Sequence, residues 1–128
     1  MTLHDDLVKK AKAAMENSRS PFSGLKVGAA LRTAEGKVFQ GANVETASLG
    51  LTICAERVAL FSAIASGESD FTDIVIVSSA EEPISPCGAC RQVMWELCGD
   101  INVSTHDLKG KSRSFKLSEL LPHPFEKF

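Results

Sequence analysis

The sequence predicts an α/β protein in which a central β-sheet carries helices on its faces. Three observations point there. Segments with apolar residues at helical spacing alternate with short alternating or β-branched runs. The 128 residues are enough for one domain, spanning 1–128, and too few for two ordinary ones. With 44% hydrophobic and 23% charged residues, the chain has the composition of a folded core, neither disordered nor fibrous.

The elements follow in order. Over residues 2–17, Leu3, Leu7, Val8, Ala11, Ala14 and Met15 recur at helical spacing, with Lys9, Lys10 and Lys12 on the opposite side. Pro21 and Gly24 break that pattern. Leu25, Val27, Ala29 and Leu31 then alternate as a strand, and a turn at Ala34-Glu-Gly36 leads into a second strand over 37–44, forming a hairpin. Residues 54–65 read as a largely apolar helix ended by Gly67. Ile74 to Val77 is a β-branched run suited to a buried strand. Ser85-Pro86 opens a further helix, with Ser85 as N-cap and Pro86 at its first position, running to Cys98. A strand over 101–105, a turn at Lys109-Gly110-Lys111, a strand over 114–117 and a short helix over 118–121 complete the chain. The order is αββαβαββ plus a C-terminal helix, an α/β/α arrangement without repeat or linker.

Charge and apolar patterning exclude several functions. Fourteen basic against sixteen acidic residues leave a net charge of −2. The pI near 5.9 argues against a partner held by phosphate neutralisation, such as duplex DNA. Lys109, Lys111, Arg113 and Lys116 flank Phe115, but they read as a solvated turn, so no nucleic-acid partner is expected. No run approaches the roughly 18 apolar residues of a membrane span. The opening Met1-Thr-Leu-His-Asp-Asp lacks the basic and apolar stretches of a signal peptide. The expected compartment is the cytoplasm, where thiols stay reduced. Four cysteines there (Cys54, Cys87, Cys90 and Cys98) point to metal binding or catalysis before disulfides.

Two segments carry the chemistry: Thr52-Ile-Cys-Ala-Glu56-Arg57 and Ser85-Pro-Cys-Gly-Ala-Cys90. Cys87 and Cys90, three apart in a first helical turn, put both sulfurs on one face, where the helix N-terminus favours thiolates. Cys54 occupies a matching position in the earlier helix. Two such N-termini side by side offer three thiolates to one Zn²⁺ and leave a fourth position for water. Cys98 lies eight residues past Cys90, roughly 12 Å farther along one helix, too far to share that ion. It reads as a small core residue. His4, His106 and His123 show no ligand spacing. Glu56 stands where a carboxylate can touch a metal-bound water. A thioredoxin-like redox pair at Cys87 and Cys90 is the rival reading, and it leaves Cys54 and Glu56 without a role.

At these residues the sequence resembles the zinc-dependent cytidine deaminases, specifically the small homotetrameric kind with three cysteine ligands. The resemblance extends to Val27-Gly-Ala-Ala30, Gly41-Ala-Asn-Val-Glu45, Pro86-Cys-Gly-Ala-Cys90-Arg-Gln, and Leu120-Leu-Pro122 followed by Phe125, in the expected order over nearly the whole chain. It implies a three-layer α/β/α fold with a central mixed β-sheet and one Zn²⁺ per subunit held by Cys54, Cys87 and Cys90. Glu56 is then the proton shuttle in converting a cytosine nucleoside to its uracil counterpart and ammonia. The Ala55 amide fixes the ring carbonyl, and Asn43 and Glu45 bind the ribose hydroxyls. Arg57 draws negative charge from the cysteine sulfurs, restoring Lewis acidity to an ion with three thiolates. Phe125 is implied to reach a neighbouring subunit's site, making a homotetramer with composite active sites; Phe125 and Phe128 beside Pro122 and Pro124 suit a docked chain end.

The chain departs from the family pattern in having Phe22, Leu25 and Leu49 where members typically carry tyrosine, phenylalanine and tyrosine, and it contains no tyrosine at all. That opens the alternatives of a modified cytosine nucleoside or a cytosine-containing antibiotic as substrate. A non-catalytic zinc-stabilised interaction domain is the rival from another class, and in it Glu56 has no task.

Overall fold

A computed structural model describes residues 2–126; Met1, Lys127 and Phe128, the last expected in the apolar chain end, lie outside the described residues. Helix α1 spans Leu3–Met15 and opens on a capping box, in which Thr2 Oγ1 accepts from Asp5 N at 3.0 Å and the Asp5 carboxylate accepts from Thr2 N at 3.2 Å. Strands β1 (Val27–Thr33) and β2 (Val38–Ala42) precede helix α2 (Ala55–Ala65). Strand β3 (Phe71–Ser78), helix α3 (Gly88–Cys98), strands β4 (Asn102–His106) and β5 (Ser112–Lys116) and the short helix α4 (Leu117–Leu120) follow. This is the expected order, with one added 3₁₀ turn at Leu49–Leu51.

The sheet runs β2-β1-β3-β4-β5, with β3 and β4 parallel and the other neighbours antiparallel. Period-two alternation sorts its side chains into two cores. Ala29, Leu31, Ile74, Ile76 and Val103 pack with Ala55, Ala59 and Leu60 of α2 and with Cys90 and Met94 of α3. Ala30, Val75 and Val77 point the other way and pack with Leu7, Ala11 and Met15 of α1. Three layers result, α1 on one face and α2 with α3 on the other. Strands β1 and β3 are apolar on both faces because both are covered.

Several element bounds differ from the sequence expectation, β3 beginning at Phe71 rather than Ile74 and β5 at Ser112 rather than Ser114, and two of the shifted starts have a clear local reason. Strand β1 begins at Val27 rather than Leu25 because the Asn43 side chain takes Val27 N (2.9 Å) and Leu25 O (2.9 Å), replacing strand pairing there. Helix α3 begins at Gly88, and its N-cap is Cys87 rather than Ser85. Cys87 has extended backbone angles, and its Sγ accepts from Cys90 N at 3.4 Å. The Pro86 carbonyl meanwhile accepts from Arg91 Nε at 2.8 Å instead of from a helical N–H. Two of the dispersed histidines do meet, His4 and His106, with ring centroids 5.5 Å apart.

Glycines set the distances between layers. A Cβ at Gly28 would stand 2.5 Å from Met15 N, and one at Gly41 would stand 2.5 Å from Ala59 N, closer than real Cβ contacts come. Gly41 therefore lets the backbone of α2 settle on β2, which fixes where the first turn of α2 lies. Gly41→Ala is expected to lower stability by about 1–3 kcal/mol, the usual cost of overpacking. Gly50→Ala, where a Cβ meets nothing within 4 Å, should leave the urea midpoint unchanged. Equal midpoints for the two variants would show that α2 is not seated through Gly41.

Candidate metal centre and active site

The starts of α2 and α3 are brought together beside the start of β1. A short ladder holds the approach to α2: Val44 N donates to Ile53 O and Ile53 N to Val44 O, both at 3.0 Å, while Glu45 N donates to Arg19 O at 2.8 Å. Cys54 is the N-cap of α2 and Cys87 the N-cap of α3, so both sulfurs sit where first-turn N–H groups lack helical partners. The Sγ atoms of Cys54, Cys87 and Cys90 all lie within 4.8 Å of one another. A tetrahedron with Zn–S bonds of about 2.3 Å has S···S edges of about 3.8 Å. Cys54 and Cys87 Sγ stand 3.8 Å apart. The donor set therefore fits Zn²⁺ in size and in softness. Cys98 packs partly buried against the core of α2 and α3, outside the cluster, and burial pushes its thiol up to about 12.

The electrostatics are those of crowded acids. The hydrogen bond from Cys90 brings Cys54 down to about 5, against the opposing effect of burial, and Arg57 and Cys87 add to the lowering. Cys90 moves up, because it donates to that thiolate, is buried, and faces Glu56. Burial, then the charge of Cys54, push Glu56 up to about 7. The side chain of Glu56 is 4% exposed. Three sulfurs and a carboxylate cannot all ionise here unless a cation joins them, and a bound metal deprotonates its thiols outright. Arg57 Nη2 donates to Cys54 Sγ at 3.7 Å, bringing one positive charge to the cluster.

A cavity of about 220 Å³ opens onto this cluster. Its walls include Cys54, Ala55, Glu56, Cys87, Asn43 and Glu45, so the structure assembles eight of the nine site residues anticipated from sequence: these six with Cys90 and Arg57 of the cluster. Phe125 is the exception; among the described residues that line the cavity it does not occur, and it is 54% exposed. Asn43 is buried and well occupied, since its Oδ1 accepts from Val27 N and Ser18 Oγ and its Nδ2 donates to Leu25 O. Glu45 Oε1 accepts from Phe22 N (3.0 Å) and Ser23 N (3.1 Å), and Oε2 from Ser23 Oγ (2.5 Å). These two residues thus staple the loop over 18–25 to the cavity rim while lining the cavity.

Sequence reasoning also missed part of the cavity wall, namely Val27, Thr52, Ile53, Ile84 and Ser85. For Thr52, Ile53, Ile84 and Ser85 the available signal was nearness in the chain to Cys54 and Cys87; Val27, far from both, opens the Val27-Gly-Ala-Ala30 motif. A larger groove of about 370 Å³ lies elsewhere, lined by His4, Asp73, Ser104, Lys116 and Glu119 among others. The cysteine trio is the one metal-ligating group of three found among the described residues.

An open thiolate site beside a buried carboxylate is the equipment of an enzyme that activates water with a metal; that is the class to which fold and site assign this chain. The comparisons agree. A family model described as the cytidine and deoxycytidylate deaminase zinc-binding region matches residues 1–105. A cytidine deaminase of Halalkalibacterium halodurans is 48% identical over 120 residues, covering 93% of this chain and 91% of that protein. A crystal structure of a cytidine deaminase from Burkholderia pseudomallei superposes with a TM-score of 0.93 at 50% identity, covering 98% of this chain and 100% of that one. A blasticidin-S deaminase of Bacillus cereus is more distant, 33% identical over 104 residues, covering 75% of this chain and 74% of that protein. The chain belongs to the zinc-binding family of cytidine and deoxycytidylate deaminases. It is an enzyme of that family, and its cofactor is Zn²⁺.

Metal analysis checks the donor set. Cys87→Ala should lose nearly all of its zinc, whereas Cys98→Ala should keep the wild-type content. Equal loss in both would put Cys98 among the ligands.

Proposed function

We propose that this chain, as one domain over residues 1–128, catalyses the hydrolytic deamination of cytidine and deoxycytidine to uridine and deoxyuridine, with release of ammonia. The observation that carries the proposal is the placement of Glu56: a buried carboxylate on the cavity wall within one helical turn of Cys54. In this reading Cys54, Cys87 and Cys90 hold the metal. Zn²⁺, when bound, supplies the Lewis acidity that makes a water molecule nucleophilic near neutral pH.

Glu56 takes a proton from the attacking water and delivers it to N3 of the pyrimidine, which makes C4 electrophilic. Oxygen adds at C4, and Glu56 then takes the proton of the added hydroxyl and passes it to the amino group, which leaves as ammonia. The C4–N bond breaks and a C4 carbonyl remains. The Ala55 amide, at the first helical position of α2, has no partner within the helix and donates to the ring carbonyl oxygen. Arg57 draws charge from Cys54.

Asn43 and Glu45 bind the sugar hydroxyls with what their loop contacts leave over. Asn43 retains one Nδ2 hydrogen beyond the bond to Leu25 O. Glu45 has three donors on about four acceptor positions, so one faces a hydroxyl. Sugar contacts of this kind supply binding energy used at the reacting centre.

The assembly is proposed as a homotetramer in which Phe125 enters a neighbour's cavity. Its exposure and its absence from the described lining of its own cavity support this, as do Leu49 and Leu51, which are 69% and 70% exposed in the 3₁₀ turn that leads to Thr52 of the cavity wall. A fully active stable monomer in sedimentation would contradict it. The compartment proposed is the cytoplasm, since reduced cysteines are what the site requires. Among the described residues no helix is long and apolar enough to cross a membrane.

Glu56→Gln tests the central assignment. The amide preserves shape but neither accepts nor returns the proton, so zinc content and fold should persist while kcat for ammonia release from cytidine falls by roughly 10²–10⁴-fold or more. Wild-type kcat in that variant would remove Glu56 from the chemistry.

A further inference from the structure

We propose that Gln92 is a positioning residue for substrate binding, aiming the Phe125 ring through the backbone of Phe125; this rests on the reading of Phe125 as the ring that closes a neighbour's cavity. The Gln92 amide meets both polar groups of that residue. Its Nε2 donates to Phe125 O at 2.6 Å, and its Oε1 accepts from Phe125 N at 3.3 Å. One side chain thus does for Phe125 what a neighbouring strand does in a sheet. With both backbone groups held, the direction of the Cα–Cβ bond is set, and with it the ring.

The segment leading to Phe125 needs such a hold. Between α4 and Phe125 the chain has no helix or strand, and Pro122 and Pro124 contribute no N–H. The adjacent Arg91 fastens the upstream end, with Nη1 donating to Leu120 O at 2.7 Å while its Nε holds Pro86 O at 2.8 Å. Leu121 N still donates to Leu117 O at 3.0 Å, and residues 122–124 then run between two neighbouring side chains of α3. The same helix carries Cys90, and its N-cap is Cys87. Each subunit then aims the ring it lends from the helix that supports its own metal cluster.

The physical consequence lies in preorganisation. A ring already aimed loses little conformational freedom when it closes on substrate, whereas a loose one must be ordered at that moment. Releasing it weakens binding without touching the proton transfers of Glu56, so the effect belongs in KM.

The test uses Gln92→Met, which keeps the length of the side chain and removes both hydrogen bonds, in the zinc-loaded enzyme. KM for cytidine should rise about three- to tenfold, the scale of one oriented aromatic contact, with kcat and zinc content unchanged. Hydrogen exchange in the peptide containing Phe125 should accelerate. Gln92→Met combined with Phe125→Ala should have the KM of Phe125→Ala alone, because the two changes remove one contact. A wild-type KM for Gln92→Met beside a raised KM for Phe125→Ala would overturn the positioning role and leave Phe125 in place. A wild-type KM for Phe125→Ala would overturn both.

Discussion

Crowding of like charge governs this molecule. Three cysteine sulfurs within 4.8 Å of one another and a carboxylate that is 4% exposed share one small volume. Such a group is tolerable only with protons or a cation to balance it. The crowding shows in the acids themselves: contact with Cys90 brings Cys54 down, contact with Cys54 and burial push Cys90 up, and burial pushes Glu56 up. Zn²⁺ is the balancing cation, and the two helix N-termini and Arg57 supply further positive potential. A cluster that is unfavourable by itself is thereby suited to hold the metal.

The remainder of the architecture holds that cluster in register. Gly41 admits α2 to the sheet, and the Val44–Ile53 bridge delivers Cys54 to the start of that helix. Asn43 and Glu45 draw the loop over 18–25 to the cavity rim, so the residues proposed to face the sugar also shape the cavity wall. Arg91 fixes the carbonyl just before Cys87 and, through Leu120, the chain leading to Phe125. Polar side chains at this end of the sheet serve as fasteners, and the proposed function gives two of them, Asn43 and Glu45, ligand contacts as well.

Much of this was legible in the sequence because the signals were periodic or chemically unusual. The β-branched run Ile74–Val77 announced a buried strand and the alternation of Leu25, Val27, Ala29 and Leu31 a second one, while the Cys-x-x-Cys step with Cys54 announced a metal. Exclusion of Cys98 needed nothing beyond helical rise, and it packs partly buried against the core, outside the cysteine cluster. The start of α3 was misread because Ser85-Pro86 has ideal capping chemistry, yet the sulfur of Cys87 does the capping. Periodicity could not anticipate that Asn43 ends the pairing of β1 at Val27, since a side chain competing with a strand leaves no pattern. Nor could it foresee Gln92 meeting Phe125 or His4 meeting His106, because contacts between distant segments carry no spacing to read.

X-ray absorption at the zinc edge of the purified enzyme tests the account most directly. Three sulfurs at about 2.3 Å and one oxygen at about 2.0–2.2 Å are expected, the signature of a three-thiolate site open to water. A shell of four sulfurs would close the site and deprive Glu56 of its water. That result would contradict the account at its centre.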